Sequence, residues 1–326
     1  MILKYSTAYI RAGLVLSLIL VLLTACGQPK ETRADIFNPN GIKEMPVRDS
    51  YGTVNVPISA KRIAVTSQYA MDYMNAIGAD ISLAPKPAAG NYVFPPYTSE
   101  EQRDKLTVIE GQNGELDLNA LAAEKPDLII TNNGDRATYD ALTKIAPTAY
   151  IDPALDWRNE LYMYSTFLDH DTAAKQFMNA YQQKFNGAKS KLAPIIGTST
   201  IAALSMQDNQ LTLHNNVKDS VGEVLYQDLA LKTPQGMTTD SESSPITLQQ
   251  LQTMNPDYLL ISTGIADDTI AALNKRMTAS PEGAIWNQLT AVQSEHVYIV
   301  DSSFFNDTPL AKSYAIDTMV KQLSDK

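Results

Sequence analysis

Almost every side chain from Ala12 to Leu23 is apolar, and beyond that run hydrophobic residues come in short bursts between polar turns. Tyr51 to Pro57 reads as a hairpin strand, and Lys61 to Thr66 and Ile201 to Ser205 as short strands. From Ala173 the pattern changes period. Ala174, Phe177, Met178, Tyr181, Phe185, Ala188 and Leu192 line one face of a helix, interrupted only by Gly187.

The organising feature is an internal repeat. Leu118 to Ile130 matches Leu248 to Leu260 at a constant offset of 130 residues, with no gap. Each copy predicts a short amphipathic helix with leucines three apart and a proline (Pro126, Pro256) that forbids its continuation. An aspartate (Asp127, Asp257) and a buried strand follow. A polar loop comes next in each copy (131–136 and 262–268), then another helix and a second strand, Thr148 to Asp152 and His296 to Asp301.

Strands alternating with helices predict parallel sheets, and two copies this far apart predict two Rossmann-like α/β lobes rather than a solenoid. The lobes are expected at 51–155 and 193–326, with 156–192 as one long helical segment joining them. Ligands of open α/β sheets sit beyond the carboxyl ends of the strands, so a cleft between the lobes is the expected site.

The amino-terminal run has its own reading. Lys4 and Arg11 precede it, and Leu23-Thr24-Ala25-Cys26 follows, a pattern that resembles a bacterial lipobox. The run is short for a span of about 20 residues. The expectation is a signal peptide over 1–25, lipid on Cys26, and a flexible tether over 26–50 on the outer face of a membrane. An ordinary signal with an incidental cysteine is the alternative. Cys26 is the only cysteine, so burial rather than a disulfide must hold the fold.

Charge narrows the partners. The formal net charge is −10, and it becomes −12 once Lys4 and Arg11 are removed with no acid lost. An acidic chain is poorly suited to nucleic acid, or to anionic lipid beyond a covalent anchor. His170, His214 and His296 are isolated, which disfavours a zinc or manganese site. No GxSxG, HExxH or P-loop is present, and no nucleophile with a positioned base can be read. The chain reads as a binding protein, not an enzyme, with no covalent group other than lipid on Cys26.

Several segments together resemble the substrate-binding lipoproteins of iron-siderophore, haem and cobalamin ABC importers. They are Gly52-Thr53-Val54 with Pro57 and Lys61-Arg62-Ile63, Leu121 to Ile130, Tyr139 to Tyr150, and Trp286 to Leu289 with Ala291-Val292 before His296-Val297-Tyr298. The resemblance implies two lobes bridged by one helix and a monomer that captures a small metal chelate for an ABC permease dimer. An Fe(III)-siderophore is the first expectation, with haem or cobalamin as alternatives. One departure matters. Relatives carry a glutamate after the leucine of each repeat copy, where this chain has Asn119 and Gln249. Glu115, Asp117 and Glu242 are the expected substitutes for permease docking; otherwise the protein is a co-receptor or sensor without transport.

Candidate ligand contacts fall in loops at strand ends. In the first lobe these are Gln68, Tyr69, Lys86, Tyr92, Tyr97 and Arg136, the last able to fork onto a carboxylate or simply to pair with Asp140. In the second lobe they are Met206, His214, Lys218, and one of Phe304 and Phe305, since neighbours on a strand face opposite sides. A tris-catecholate carries about −3, and burying it takes several cationic partners. So few candidate cations favour a hydroxamate or mixed citrate-hydroxamate chelate.

Overall fold

Both copies of the repeat fold alike in the computed structural model. The helices Leu118–Ala123 and Leu248–Met254 each end on a residue with positive φ, reached at Lys125 (49°) and Asn255 (41°). The proline follows, and the aspartate then turns back onto a neighbouring strand. Asp127 accepts the backbone N–H groups of Lys61 and Arg62 at 2.8 and 3.0 Å. Asp257 accepts the backbone N–H and hydroxyl of Thr200 at 2.7 and 2.8 Å. In both lobes the motif thus fastens the start of one central strand to the start of the next, satisfying donors that would otherwise be orphaned.

The structure describes residues 44–86, 94–111, 116–207, 210–215, 220–239, 243–265 and 268–324. A hairpin of β1 (Glu44–Asp49) and β2 (Gly52–Pro57) precedes the first sheet. The stretch expected to be tether up to residue 50 is therefore a paired strand from Glu44 on, with Val47 and Val56 buried in the core.

The first sheet has the order β5-β4-β3-β6-β7 and is parallel throughout. Its strands are β3 (Ile63–Val65), β4 (Leu83–Pro85), β5 (Thr107–Ile109), β6 (Leu128–Thr131) and β7 (Thr148–Tyr150). Between them run α1 (Gln68–Ala76), α2 (Glu100–Asp104), α3 (Leu118–Ala123) and α4 (Arg136–Leu142).

The linking segment carries the expected long helix, with a shorter one before it. The first, α5 (Trp157–Leu168), stops at Asp169, whose backbone is left-handed (φ 58°). The second, α6 (Asp171–Ile196), is 26 residues and so about 39 Å long. It ends at Gly197, also at positive φ. The apolar stripe read from Ala173 to Leu192 lies wholly within this second helix.

The second sheet has the order β10-β9-β8-β11-β12. Its strands are β8 (Ile201–Gln207), β9 (Gln210–Leu213), β10 (Ser244–Ile246), β11 (Tyr258–Ser262) and β12 (Val297–Ile299). Here the expectation of a purely parallel sheet is corrected: β8, β11 and β12 are parallel, but β9 and β10 are antiparallel. The two residues between β8 and β9 leave no room for a crossover helix, which a parallel connection requires. Helices of this half are α7 (Ser220–Gly222), continued by a π-helical stretch Glu223–Asp228, then α8 (Leu248–Met254), α9 (Ile270–Ala279), α10 (Gly283–Trp286), α11 (Thr290–Gln293) and α12 (Pro309–Ser324).

Strand alternation decides where the cores lie. Ile63, Val65, Leu128 and Ile130 of the first sheet join Ile201, Ala203, Tyr258 and Leu260 of the second in one core, closed by α1, α5, α6 and α12. The opposite faces are buried separately, around Ala64 and Ile129 in one half and Ala202, Leu204, Leu259 and Ile261 in the other. The two halves therefore share a hydrophobic centre, and residues 44–326 form one compact unit. Among the described residues no helix is long and apolar enough to cross a membrane.

Candidate functional site

The carboxyl ends of the first sheet are tied together by short polar side chains. The Thr66 hydroxyl donates to Thr131 Oγ1 and the Ser67 hydroxyl to Asn132 Oδ1, both at 2.8 Å. Ser67 also caps α1 by accepting the N–H of Ala70 at 3.0 Å. This places Gln68 and Tyr69 in the first turn beyond β3. Gln68 donates to the carbonyl of Pro85 at 3.1 Å, and Tyr69 donates to Oε2 of Glu160 at 2.7 Å. Burial pushes the Tyr69 hydroxyl far above its ordinary pKa, so it stays a donor.

Glu160, in the first turn of α5, is 0% exposed, and its Oε1 has no hydrogen-bond partner. Burial raises its pKa to about 7, against the hydroxyls of Tyr69 and Tyr73, while the charges of Asp307 and Asp152 add to the rise.

Arg136 takes the alternative foreseen for it. It is exposed in the first turn of α4 and pairs with Asp140 at 2.9 Å. Its guanidinium also lies 5.2 Å from the centre of the Tyr51 ring. Tyr51 in turn stacks on Tyr139 at 4.3 Å and donates to the carbonyl of Gly134 at 2.5 Å. Lys86 is likewise exposed and paired, with Glu110 at 3.0 Å.

The carboxyl ends of the second sheet surround a cavity of about 640 Å³, lined by Ser205, Met206, Thr263, Arg276 and Phe305 among others. The two phenylalanines part company: Phe304 is 1% exposed in the core, whereas Phe305 lines this cavity. His214 packs against Phe305, with ring centres 4.4 Å apart, and its Nε2 lies 2.8 Å from the Ser205 hydroxyl. Burial drives the imidazole down to about 4, so it is neutral at physiological pH. Arg276 pairs with Asp268, and its Nε is buried without a hydrogen-bond partner.

The fold brings Ser205 and His214 into hydrogen-bond contact, a pair that the sequence alone did not offer. Among the described residues no carboxylate hydrogen-bonds to His214 to orient it, and a base held near 4 is a weak one at neutral pH.

The two edges meet where the chain passes from β12 into α12. Asp72 of α1 accepts the N–H of Leu310 at 3.1 Å. Lys312, 1% exposed, donates to Glu223 at 2.8 Å and lies 2.7 Å from Asp307. Arg158 meets the same Glu223 at 2.6 Å, and the Trp157 indole N–H donates to both its oxygens at 3.2 and 3.1 Å. Burial opposes ionisation of Glu223, but Lys312 and Arg158 outweigh it and hold the carboxyl below its ordinary value. Tyr97, half-buried, packs on Tyr314 of α12 with ring centres 5.5 Å apart.

Tyr92, Lys218, Glu115, Glu242 and Cys26 lie outside the described residues. Asp117 is committed as the cap of α3, accepting the N–H groups of Asn119 and Ala120 at 2.9 and 3.0 Å. Sequence reasoning missed Glu160, Arg276, Tyr51 and Glu282. Glu160 had a signal: it shares a helical face with Trp157, Leu161 and Tyr164, an acid set in an apolar stripe.

Comparison with known proteins fits this geometry. The periplasmic binding protein family is matched over residues 63–304, most of the chain and both sheets. The chain belongs to that family. Among the relatives of this binding protein is the iron(3+)-hydroxamate-binding protein YxeB of Bacillus subtilis, 25% identical over 315 residues that cover 95% of this chain and 94% of the other. The Fe(3+) dicitrate-binding periplasmic protein FecB of Escherichia coli is 27% identical over 260 residues, covering 79% and 82%.

Among solved structures, a FhuD fold-family component of a Fep/Fec-like ferrichrome ABC transporter from Bacillus subtilis superposes with a TM-score of 0.70. It is 20% identical and covers 86% of this chain and 100% of the other. FeuA of Bacillus subtilis, complexed with ferri-bacillibactin, gives a TM-score of 0.67 at 21% identity, covering 86% and 99%. These likenesses place the fold of this binding protein among the FhuD-like, two-sheet architectures.

Proposed function

We propose that this protein captures a ferric siderophore between its two sheets and delivers it to an ABC importer, held at the outer face of a membrane by lipid on Cys26. The observation that carries the reading is the cavity at the carboxyl ends of the second sheet. Its lining combines an aromatic wall (Phe305, backed by the neutral imidazole of His214), a soft apolar side (Met206), the hydroxyls of Ser205 and Thr263, and Arg276. Such a lining offers donors to chelate oxygens without demanding a high ligand charge. The relatives that bind iron-hydroxamate and ferric dicitrate support the ligand class. The role is binding, and the Ser205–His214 pair contributes a contact rather than a reaction.

Docking on a permease asks for charge at the rims. Asn119 is neutral and Asp117 caps its helix with one oxygen, while Gln249 donates to Oε1 of the half-buried Glu282 at 2.8 Å. We assign the second rim's docking carboxylate to Glu282, with Asp117 serving the first. The test is uptake of iron-radiolabelled siderophores by cells with and without the protein. Loss of uptake of one ferric siderophore, restored by the wild-type chain, supports the reading. Unchanged uptake of every iron source tested would favour a sensor without transport.

A further inference from the structure

The chain is acidic, yet its longest helix holds no acid beyond the first residue. Between Asp171 and Asp208 there is no Asp or Glu, the longest such stretch after Cys26. Most of that stretch is α6, which carries Lys175, Lys184, Lys189 and Lys191.

Helical geometry sorts these lysines. Ala174, Tyr181, Ala188 and Leu192 form the buried face of α6. At about 3.6 residues per turn, Lys184 and Lys191 fall on one shoulder of the opposite face, and Lys175 and Lys189 on the other. Between the shoulders runs an exposed crest of Gln176, Asn179, Gln183, Asn186 and Ser190, none of them charged. On the Lys184 side, α12 lies alongside. The groove between the two helices, about 660 Å³, is lined by Lys184, Gly187 and Lys191 on one wall and by Asp317 and Lys321 on the other. Asp317 is answered by Lys184. Lys189 extends over the Phe185 ring, 5.5 Å from its centre. Among the described residues, Lys175, Lys189, Lys191 and Lys321 make no ion pair.

An uncharged crest with unpaired lysines on both shoulders, along the whole length of a helix, matches a flat anionic surface and not a small anion. A leaflet carrying anionic headgroups is such a surface, and each lysine brought to it adds about fivefold to partitioning. The chain from Cys26 to Lys43 can extend to about 60 Å, longer than α6 itself. A lipid on Cys26 therefore leaves the folded part free to turn, and charge selects the face that settles. The acidic remainder is repelled and α6 is drawn in.

We propose that α6, together with Lys321 of α12, is a membrane-facing surface on which the anchored protein rests against anionic phospholipid headgroups. This rests on the reading of lipid on Cys26 at a membrane and adds the face that the protein turns to it.

The test supplies the anchor chemically. The mature chain is coupled through Cys26, its only cysteine, to a maleimide lipid in vesicles of pure phosphatidylcholine or of phosphatidylcholine mixed with phosphatidylglycerol. An uncharged acetylating reagent is added, and the rate at each lysine is read by mass spectrometry. Lys175, Lys184, Lys189, Lys191 and Lys321 should react at least about threefold more slowly on the anionic vesicles. Lys144 and Lys275, exposed on other elements, should react at the same rate on both. Salt at about 1 M, where the screening length is about 3 Å, should abolish the difference. Lys184→Gln, Lys191→Gln and Lys321→Gln together should cut the protection of Lys175 and Lys189 severalfold and leave ferric-siderophore affinity unchanged. Detergent partitioning of the native protein decides the lipid on Cys26 separately, so a failure here leaves that reading and siderophore capture standing. Equal rates at the α6 lysines on the two kinds of vesicle overturn the proposal. So does protection that extends equally to Lys144 and Lys275, or that is undiminished in the triple variant.

Discussion

The carboxylate of Asp72 accepts the backbone N–H of Leu310 at 3.1 Å, so a side chain of the first helix caps the last one across 238 residues. Burial raises the Asp72 pKa to about 7, against the pull of Thr308 and the backbone of Leu310 and Ala311. A folded-state pKa above the unfolded value means that the native state holds the proton more tightly. The stability this gives is complete below the ordinary carboxylate range and is lost as pH rises through about 7.

Asp72→Asn keeps an acceptor for Leu310 and removes the titration. The variant should melt higher than wild type at alkaline pH and show a shallower fall in melting temperature from acid to alkaline conditions. Glu160, raised by burial in the same way, keeps part of the slope in that variant. Parallel wild-type and variant profiles would show that Asp72 is not the titrating group.

Glu223 answers Lys312 and Arg158 at once, in a setting where Lys312 is 1% exposed. Removing one partner of a buried ionic network leaves the others uncompensated, at a cost of about 3–5 kcal/mol. Glu223→Gln should therefore lower unfolding free energy by about that much in urea titrations. Because the network joins α5, the Glu223–Asp228 stretch and α12, ligand affinity should fall with it. A loss below about 1 kcal/mol would mean that the charges are solvated in the working protein.

Lys125 and Asn255 hold the same place in the two repeat copies, both at positive φ. Asparagine adopts that conformation at little cost, whereas lysine does so at a greater one. Lys125→Gly should accordingly stabilise the protein by about 0.5–1 kcal/mol, and Asn255→Gly by less or not at all. Thermal melts of the two single variants check the order, and a reversed order would remove the backbone explanation of the motif.

That motif also marks how far the sequence could be read. The 130-residue offset exposed two lobes because Asp127 and Asp257 perform one local task, fastening neighbouring strands, and a local task leaves a local pattern. The antiparallel turn from β8 to β9 left none, since strand direction is set by the length of the connection and not by the apolar run. At the site, loop positions could be listed, but their partners could not. Whether Arg136 reaches a ligand or Asp140 depends on rotamers, and the burial of Glu160 depends on helices remote in sequence. Of the acids proposed for docking, Glu282 escaped notice because it lies 33 residues from Gln249 and meets it only in the fold.

Rim charges act chiefly on encounter and orientation. Glu282→Gln, combined with Asp117→Asn, should therefore slow uptake several-fold while leaving ligand affinity at the wild-type value. Uptake assays paired with calorimetry on the purified variant separate the two effects. A fall in affinity with uptake reduced only in proportion would place these residues in the cleft instead of on the rim.

The most direct test of the whole account is a titration of the purified mature chain against ferric hydroxamates, ferric citrate, a ferric tris-catecholate, haem and cobalamin. The two tryptophans, Trp157 beside the ionic network and Trp286 in the second half, supply an intrinsic signal. A cleft whose described cations are already paired should bind a ferric hydroxamate submicromolar and the tris-catecholate, of charge about −3, at least tenfold more weakly. Tightest binding of the tris-catecholate, or of haem or cobalamin with no response to any hydroxamate, would contradict it.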